Sequence, residues 1–251
     1  MKQKHSHVFK RGERLPRFIP QWFKRRIETD LYLIYDFSEE AAAKIPAHAL
    51  VLDAGAGQGR FKSDFDHTRY VGVDLAVGDM AWDYSSLDAI SNLTDLPFKD
   101  NSFDAALCTQ VLEHVPEPQQ VISEIARVLK PGGQLFLSAP QSWCQHQKPY
   151  DFFRYTSFGL SHLFTKAGLQ AEEIRPMGGY FWFLSFQLQN INFWLFPKGM
   201  NGRVLTWPIR AFFGLIFQMI LPLMLYYLDP LDHAKDETFG YLCIATKPEH
   251  V

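Results

Sequence analysis

Short apolar runs alternate with longer amphipathic ones through the first two thirds of the chain. Residues 49–53 and 70–74 are compact apolar runs that end in Asp53 and Asp74, and the first opens into a glycine cluster. Runs of this kind, without polar alternation, predict parallel strands buried on both faces and feeding loops at their carboxyl ends. Residues 58–65 have room for a short helix between them, which makes a strand, helix, strand unit. A weak third strand is predicted near residues 87–93 and a fourth at 103–108. Residues 118–129 place Val121, Ile122, Ile125, Val128 and Leu129 at helical spacing, and Lys130-Pro131-Gly132-Gly133 stops that helix. A strand at 134–139 follows. Thr156 caps a helix to about Lys166 with Gly168 at its C-terminal end, and residues 169–175 form another strand. Upstream, Ser38 followed by Glu39 and Glu40 predicts a capped helix that Pro46 closes. The last pattern is a strand at 240–246. Strands alternating with helices imply an α/β fold whose mostly parallel sheet is covered on both faces.

Composition narrows the class. With 251 residues, 47% hydrophobic and 21% charged, the chain fits one globular domain with an elaboration, and neither a disordered nor a polytopic membrane protein. Cys108, Cys144 and Cys243 are odd in number and widely spaced, without a Cys-x-x-Cys pair, so a reducing, cytoplasmic compartment is expected. The net charge of -2 hides an asymmetry: residues 1–27 hold nine Lys/Arg against Glu13, and the remainder carries the opposing excess of acid. Those cations, Lys2, Lys4, Lys10, Arg11, Arg14, Arg17, Lys24, Arg25 and Arg26, alternate with Phe9, Phe18, Ile19, Trp22 and Phe23. No apolar run long enough for a signal peptide follows, which argues against secretion. Three readings of the segment stay open: an anionic membrane surface, a solvated tail packed by its aromatics, and, least favoured, RNA.

The strongest chemical signal is Val51-Leu52-Asp53-Ala54-Gly55-Ala56-Gly57-Gln58-Gly59, a strand running into a Gly-x-Gly-x-Gly turn. Glycines there let backbone approach a ligand, and a following helix offers free N–H groups. Asp74 ends the next strand about twenty residues on, where a carboxylate accepts from both hydroxyls of a ribose. The spacing departs from the dinucleotide Gly-x-Gly-x-x-Gly that must also seat a pyrophosphate. A nucleoside without phosphates suits it better, and a nicotinamide oxidoreductase is disfavoured.

With Val73-Asp74, Asp95-Leu96-Pro97-Phe98, Asp100-Asn101-Ser102-Phe103-Asp104, Val111-Leu112-Glu113-His114-Val115 and Leu129-Lys130-Pro131-Gly132-Gly133, the loop forms an ordered set over residues 49–140. The set resembles the class I S-adenosylmethionine-dependent methyltransferases, in the small-molecule branch that includes quinone-biosynthesis O-methyltransferases. The resemblance implies a Rossmann-like, mostly parallel seven-stranded sheet with an antiparallel last strand, and S-adenosylmethionine as cofactor. It places Asp53, Gly55, Gly57 and Gly59 beside the methionine part, Asp74 on the ribose, and Asn92 and Leu93 at adenine. Asn92 stands where the family more often has Asp, and an amide still both donates and accepts. Thr109, closing the fourth strand, joins the cofactor set. Pro97 and Asp104 read as structural, and Leu112 and Val115 as core.

Methyl transfer displaces a group from an already activated sulfonium, so the protein chiefly aligns the acceptor. An oxygen acceptor gains from a general base, and His114 is the candidate; a histidine lining the pocket is the competing reading. Glu113 and His114 resemble part of the Glu-x-x-Glu-His set that some quinone O-methyltransferases use for a divalent metal. Gln110 replaces its first Glu, so a hard-cation site is disfavoured and no metal is expected. After the fifth strand, His146, Tyr150, Asp151, Arg154 and Tyr155 form a polar cluster suited to the acceptor's roof. The stretch is similar to a Pro-x-Asp-aromatic-aromatic-Arg-Tyr-Thr segment of bacterial methyltransferases associated with envelope sugars or lipids. A loop-fixing Asp151–Arg154 salt bridge is the alternative.

Residues 180–228 hold 14 of the 38 aromatics, three formal charges (Lys198, Arg203, Arg210) and no acid. Residues 211–228 are uncharged, about 27 Å as a helix against a hydrocarbon core of about 30 Å. The resemblance puts the last strand in the same sheet as the glycine loop, so the insertion crosses a membrane twice or not at all. Residues 180–196 contain Gln187, Gln189, Asn190 and Asn192, a poor second span. Helices lying in the interface are therefore expected, with Trp182, Trp194, Trp207, Tyr226 and Tyr227 at headgroup depth; a soluble cap or subunit interface is the alternative. The division expected is a basic aromatic segment at 1–37, a methyltransferase domain at 38–179 and 229–251, and the apolar insertion at 180–228. The function expected is methyl transfer to a small-molecule, lipid-like or envelope-precursor acceptor at the cytoplasmic face of a membrane. A non-catalytic cofactor-binding or membrane-docking module is the alternative, an RNA methyltransferase a weaker one, and oligomeric state is not indicated.

Overall fold

A computed structural model describes residues 15, 18–78, 82–191 and 207–249. The chain divides into two compact units, Ile34–Met177 with Phe239–Val251, and Met1–Leu33 with Gly178–Thr238.

The larger unit is built on seven strands: β1 (Leu50–Ala54), β2 (Arg69–Asp74), β3 (Ala89–Ile90), β4 (Phe103–Thr109), β5 (Leu129–Pro140), β6 (Gln170–Pro176) and β7 (Gly240–Thr246). They lie in the order β3-β2-β1-β4-β5-β7-β6. Neighbours from β3 through β5 pair in parallel, and β7 runs antiparallel to both β5 and β6. This is the Rossmann-like sheet expected, with its antiparallel last strand. Because β1, β4 and β5 have strands on both sides and cover on both faces, Val51, Leu52, Ala106, Cys108, Leu135 and Leu137 are fully buried, which explains their unbroken apolar runs. The amphipathic pattern of α3 (Pro118–Val128) puts Val121, Ile122 and Ile125 into that core. Helix α4 (Ser157–Lys166) starts where expected, with the Thr156 hydroxyl accepting from the Gly159 N–H at 3.1 Å.

Four expectations need correction. The helix expected to start at Ser38 is α2 (Thr29–Lys44), which runs through that serine. The Ser38 hydroxyl donates to the Asp64 carboxylate at 2.8 Å, a tertiary partner in place of a cap. The helix expected over 58–65 is a single 3-10 turn, Lys62–Phe65, because the glycine loop occupies the residues before it. The third strand shrinks to Ala89–Ile90, long enough only to pair with Val73 and Asp74. Finally, Lys130-Pro131-Gly132-Gly133 ends α3 but belongs to β5, which begins at Leu129 opposite Phe103 and shifts register before Gln134.

The smaller unit contains α1 (Gln21–Ile27), α5 (Tyr180–Gln189) and one helical run, α6 (Trp207–Leu231), with a π turn at Ile216–Ile220. The open N-terminus of α5 is closed by remote carboxylates: Asp229 Oδ1 accepts from the Gly179 and Trp182 N–H groups, both at 3.0 Å, and Asp232 Oδ2 from Tyr180 at 2.7 Å. Trp182 stacks on Tyr226 at 5.2 Å and donates its indole N–H to the Tyr226 carbonyl. Arg26 is not a free cation. Its guanidinium lies over Trp22, Tyr226 and Tyr227 and donates to the Tyr227 hydroxyl at 2.9 Å. On α6 a stripe of Ile220, Met224, Tyr227 and Leu231 is 49–65% exposed, and only 11% of the helix's most apolar window is buried. Among the described residues α6 is one helix long and apolar enough to cross a membrane, by length and composition. Phe9, the basic residues from Lys2 to Arg14, Arg17 and Trp194 lie outside the described residues. The insertion leaves the sheet after β6 and returns at β7, where the Met177 N–H donates to the Gly240 carbonyl at 2.8 Å.

Candidate active site

The carboxyl ends of β1, β2, β3, β4 and β5 carry, in turn, Asp53, Asp74, Asn92, Thr109 and the segment after Pro140, so every predicted site residue sits on one edge of the sheet. The turn after β1 is held by the strand beside it, since the Gly55 and Ala56 N–H groups both donate to the Val73 carbonyl, at 2.8 and 3.0 Å. Gly55 has φ +90°, and a Cβ there would lie 2.3 Å from a Val111 methyl. Only glycine meets both demands.

Asp74 is fixed at both oxygens: Oδ2 accepts from the Gly57 N–H at 2.9 Å and Oδ1 from the Ala76 N–H at 2.7 Å. Each carboxylate oxygen has a second acceptor site, so the group is aimed and still able to take donors from a ligand. Asp53 is 1% exposed and accepts from the Tyr70 hydroxyl. Burial, with the Asp74 charge adding to it, pushes the Asp53 carboxyl up to about 7. Asn92 is exposed, with its Oδ1 turned back to accept from the Thr94 N–H at 3.1 Å. The Leu93 side chain is buried in the core, which leaves its main chain to meet a ligand. Thr109 lies opposite Ser138 at the end of β4.

The second cluster is organised around its own salt bridge. Arg154 grips Asp151 with two nitrogens, at 2.6 and 2.9 Å, and donates to the carbonyls of Trp143, Cys144 and Phe153. That guanidinium holds the Asp151 carboxyl down to about 2, and Asp151 also accepts from the His146 N–H. Tyr155 is buried and donates its hydroxyl to the Leu112 carbonyl at 2.7 Å. Arg154, Asp151 and Tyr155 thus brace the loop, whereas Tyr150 is exposed.

His114 and His146 are brought together, their rings meeting edge to face at 4.6 Å. His114 Nδ1 lies 2.5 Å from the Tyr150 carbonyl, which can only accept, so the proton sits on Nδ1 and Nε2 is the basic nitrogen. Burial lowers the His114 pKa below its ordinary value. Sequence reasoning set Glu113 aside with its metal motif. It is fully buried, neither of its oxygens meets a partner elsewhere among the described residues, and burial pushes its carboxyl up to about 8. One ligand atom each from Glu113, His114 and His146 lie within 4.8 Å of one another. The Glu113-His114 pair was visible as a motif, but the third group arrives from a different loop.

Comparison with known proteins places the chain. Residues 52–137 match the methyltransferase domain family. An uncharacterized methyltransferase of Mycobacterium sp. (strain KMS) is 35% identical over 112 residues, covering 42% of this chain and 44% of the relative. A ubiquinone biosynthesis O-methyltransferase of Xanthomonas oryzae pv. oryzae (strain PXO99A) is 38% identical over 103 residues, covering 37% and 43%. The chain therefore spans less than half the length of these relatives. Among solved structures, the Burkholderia thailandensis 1,6-didemethyltoxoflavin-N1-methyltransferase, with 1,6-didemethyltoxoflavin and S-adenosylhomocysteine bound, superposes with TM-score 0.53 at 18% identity, covering 89% of this chain and 82% of that one. Residues 52–137 therefore belong to the methyltransferase domain family, and the strand order around them is that of the Rossmann-like class I methyltransferase fold.

Proposed function

We propose that the chain binds S-adenosylmethionine and transfers its methyl group to an oxygen of a small, lipid-like acceptor at a cytoplasmic membrane surface. The observation that carries the reading is Asp74, whose two oxygens are latched to the glycine loop and its neighbour, so that its remaining acceptor sites suit the two hydroxyls of a ribose. The residues fit the cofactor in charge as well. Burial, with the nearby Asp74 charge adding to it, raises the cost of ionising Asp53, and a cationic ligand relieves it. When bound, the cofactor supplies a methyl already activated on sulfonium. The protein's own work is alignment, exclusion of water and removal of the acceptor's proton. In this reading His114 Nε2 takes that proton, which is supported by the contact of Nδ1 with the Tyr150 carbonyl.

The membrane part of the proposal is supported by the exposed stripe of α6, by the absence of acids from residues 180–228, and by the basic N-terminal sequence. The related ubiquinone biosynthesis O-methyltransferase supports oxygen as the acceptor atom. The test is to incubate the purified chain with bacterial lipid extracts and cofactor carrying an isotopically labelled methyl, then to follow the label by mass spectrometry. The expected result is one labelled methyl in place of a hydrogen on a discrete lipid species. Binding of S-adenosylhomocysteine without any labelled product would favour the non-catalytic module.

A further inference from the structure

Glu113 is a fully buried carboxyl group neither of whose oxygens has a hydrogen-bond partner among the described residues. A buried carboxylate without partners is costly unless a cation or a set of donors compensates it, and neither Glu113 oxygen finds a donor elsewhere among the described residues. What stands next to it is a pair of imidazoles. His114 Nε2 is 3.7 Å from Glu113 Oε1, and the His146 ring packs against the His114 ring.

The histidines are oriented alike. His114 Nδ1 faces the Tyr150 carbonyl at 2.5 Å and His146 Nδ1 faces the Cys144 carbonyl at 3.1 Å. With Nδ1 protonated toward a carbonyl in both, each Nε2 keeps a bare lone pair. This is how imidazoles that bind metals are held, by an N–H donated from the nitrogen away from the ion. Asp151, 3.6 Å from His146 Nδ1 and locked by Arg154, stiffens the same loop.

We propose that Glu113, His114 and His146 bind one divalent transition metal of the zinc class through two imidazole nitrogens and one carboxylate oxygen, leaving a fourth position for water or an acceptor oxygen. Two nitrogens and one oxygen select a borderline ion, and the single carboxylate is too little for magnesium or calcium. Three protein ligands with one open position is the pattern of catalytic zinc. Tetrahedral zinc holds its ligand atoms roughly 3.3 Å apart. One contact here is already 3.7 Å and all are within 4.8 Å, so small rotations of the side chains close the set. The proposal rests on the methyl-transfer reading only for the use of the open position. An acceptor hydroxyl bound there becomes more acidic, and His114, with Nε2 engaged, is then a ligand in place of a base.

The test uses the full chain, stripped with a chelator and titrated with zinc by calorimetry and with cobalt by visible absorbance. The expected result is one metal per chain and the absorption bands of a low-coordinate cobalt site. Glu113→Gln and His146→Ala should each weaken zinc by roughly 100-fold or more, since even outer partners of a metal site cost 10 to 100-fold. Melting in chelator shows that each variant is folded, and His146→Ala, on a loop, guards against a folding failure at buried Glu113. S-adenosylhomocysteine affinity, measured on the same proteins, should not move, so a failed metal site and a failed cofactor site are told apart. No stoichiometric binding, or binding unchanged in both variants, overturns the proposal.

Discussion

Removing the carboxylate of Asp74 should separate its two jobs. The group accepts from the Gly57 and Ala76 N–H groups at 2.9 and 2.7 Å, and in the complex proposed above it also takes the ribose. Asp74→Ala leaves both amides without this acceptor, at a site that is half-buried and open to water, so the loss of stability should be about 1 kcal/mol. The ribose bonds are charge-assisted, and their loss should weaken S-adenosylhomocysteine by about 1.5–3 kcal/mol, roughly 10 to 150-fold. Asp74→Asn should not restore it. Its single amide oxygen can replace only one of two acceptors, and its NH2 group would face an N–H donor. Calorimetry with the product cofactor, beside a thermal melt, reads both effects. Affinity unchanged to within about twofold in a folded Asp74→Ala protein would remove Asp74 from the nucleoside site, since twofold is only about 0.4 kcal/mol.

Gly55→Ala should destabilise the domain by about 2–4 kcal/mol, the sum of a left-handed backbone and an overpacked Val111, and Val111→Ala should recover the steric part in the double variant. Cofactor binding should weaken as pH falls below about 7, because Asp53 then takes up a proton that a cationic ligand must displace. Calorimetry in buffers of different ionisation enthalpy should show proton release for wild type, and Asp53→Asn should flatten the profile. Replacing Phe212, Phe213 and Phe217 by Ser should reduce flotation with anionic vesicles and make what remains more sensitive to salt. Deleting the N-terminal 26 residues should leave flotation measurable, and wild type that never floats at low salt would make the insertion a cap or subunit interface.

The parallel core was readable because its central strands are apolar on both faces and the first two run into Asp53 and Asp74. Local signals misled where a tertiary partner took them over. Ser38 looks like a cap until Asp64 claims its hydroxyl, and the Lys130-Pro131-Gly132-Gly133 turn looks like a break until Lys247 pairs across it, accepting from Gly132 and donating to Gly133. The placing of Asp53 and Asp74 at the carboxyl ends of neighbouring strands was legible from their spacing. The Glu113, His114 and His146 group was not, because it joins loops that follow two different strands and because an unsatisfied carboxylate is a property of surroundings. Arg154 and Tyr155 were read toward a ligand, with a loop-fixing Asp151–Arg154 bridge as the alternative, and their polar atoms meet Asp151 and the carbonyls of Trp143, Cys144, Phe153 and Leu112.

The Met177–Gly240 hydrogen bond makes the whole insertion, in topological terms, the loop of a β-hairpin. Its two ends are one strand spacing apart, so nothing in the sheet's register depends on how long that loop is. Closing a loop costs little more as it lengthens, about 0.6 kcal/mol for each doubling. The sheet can therefore accept cassettes of very different size at this point. An Asn-Gly turn bridging Met177 and Gly240 should give a minimal domain in which cofactor chemistry can be studied apart from whatever surface the insertion serves.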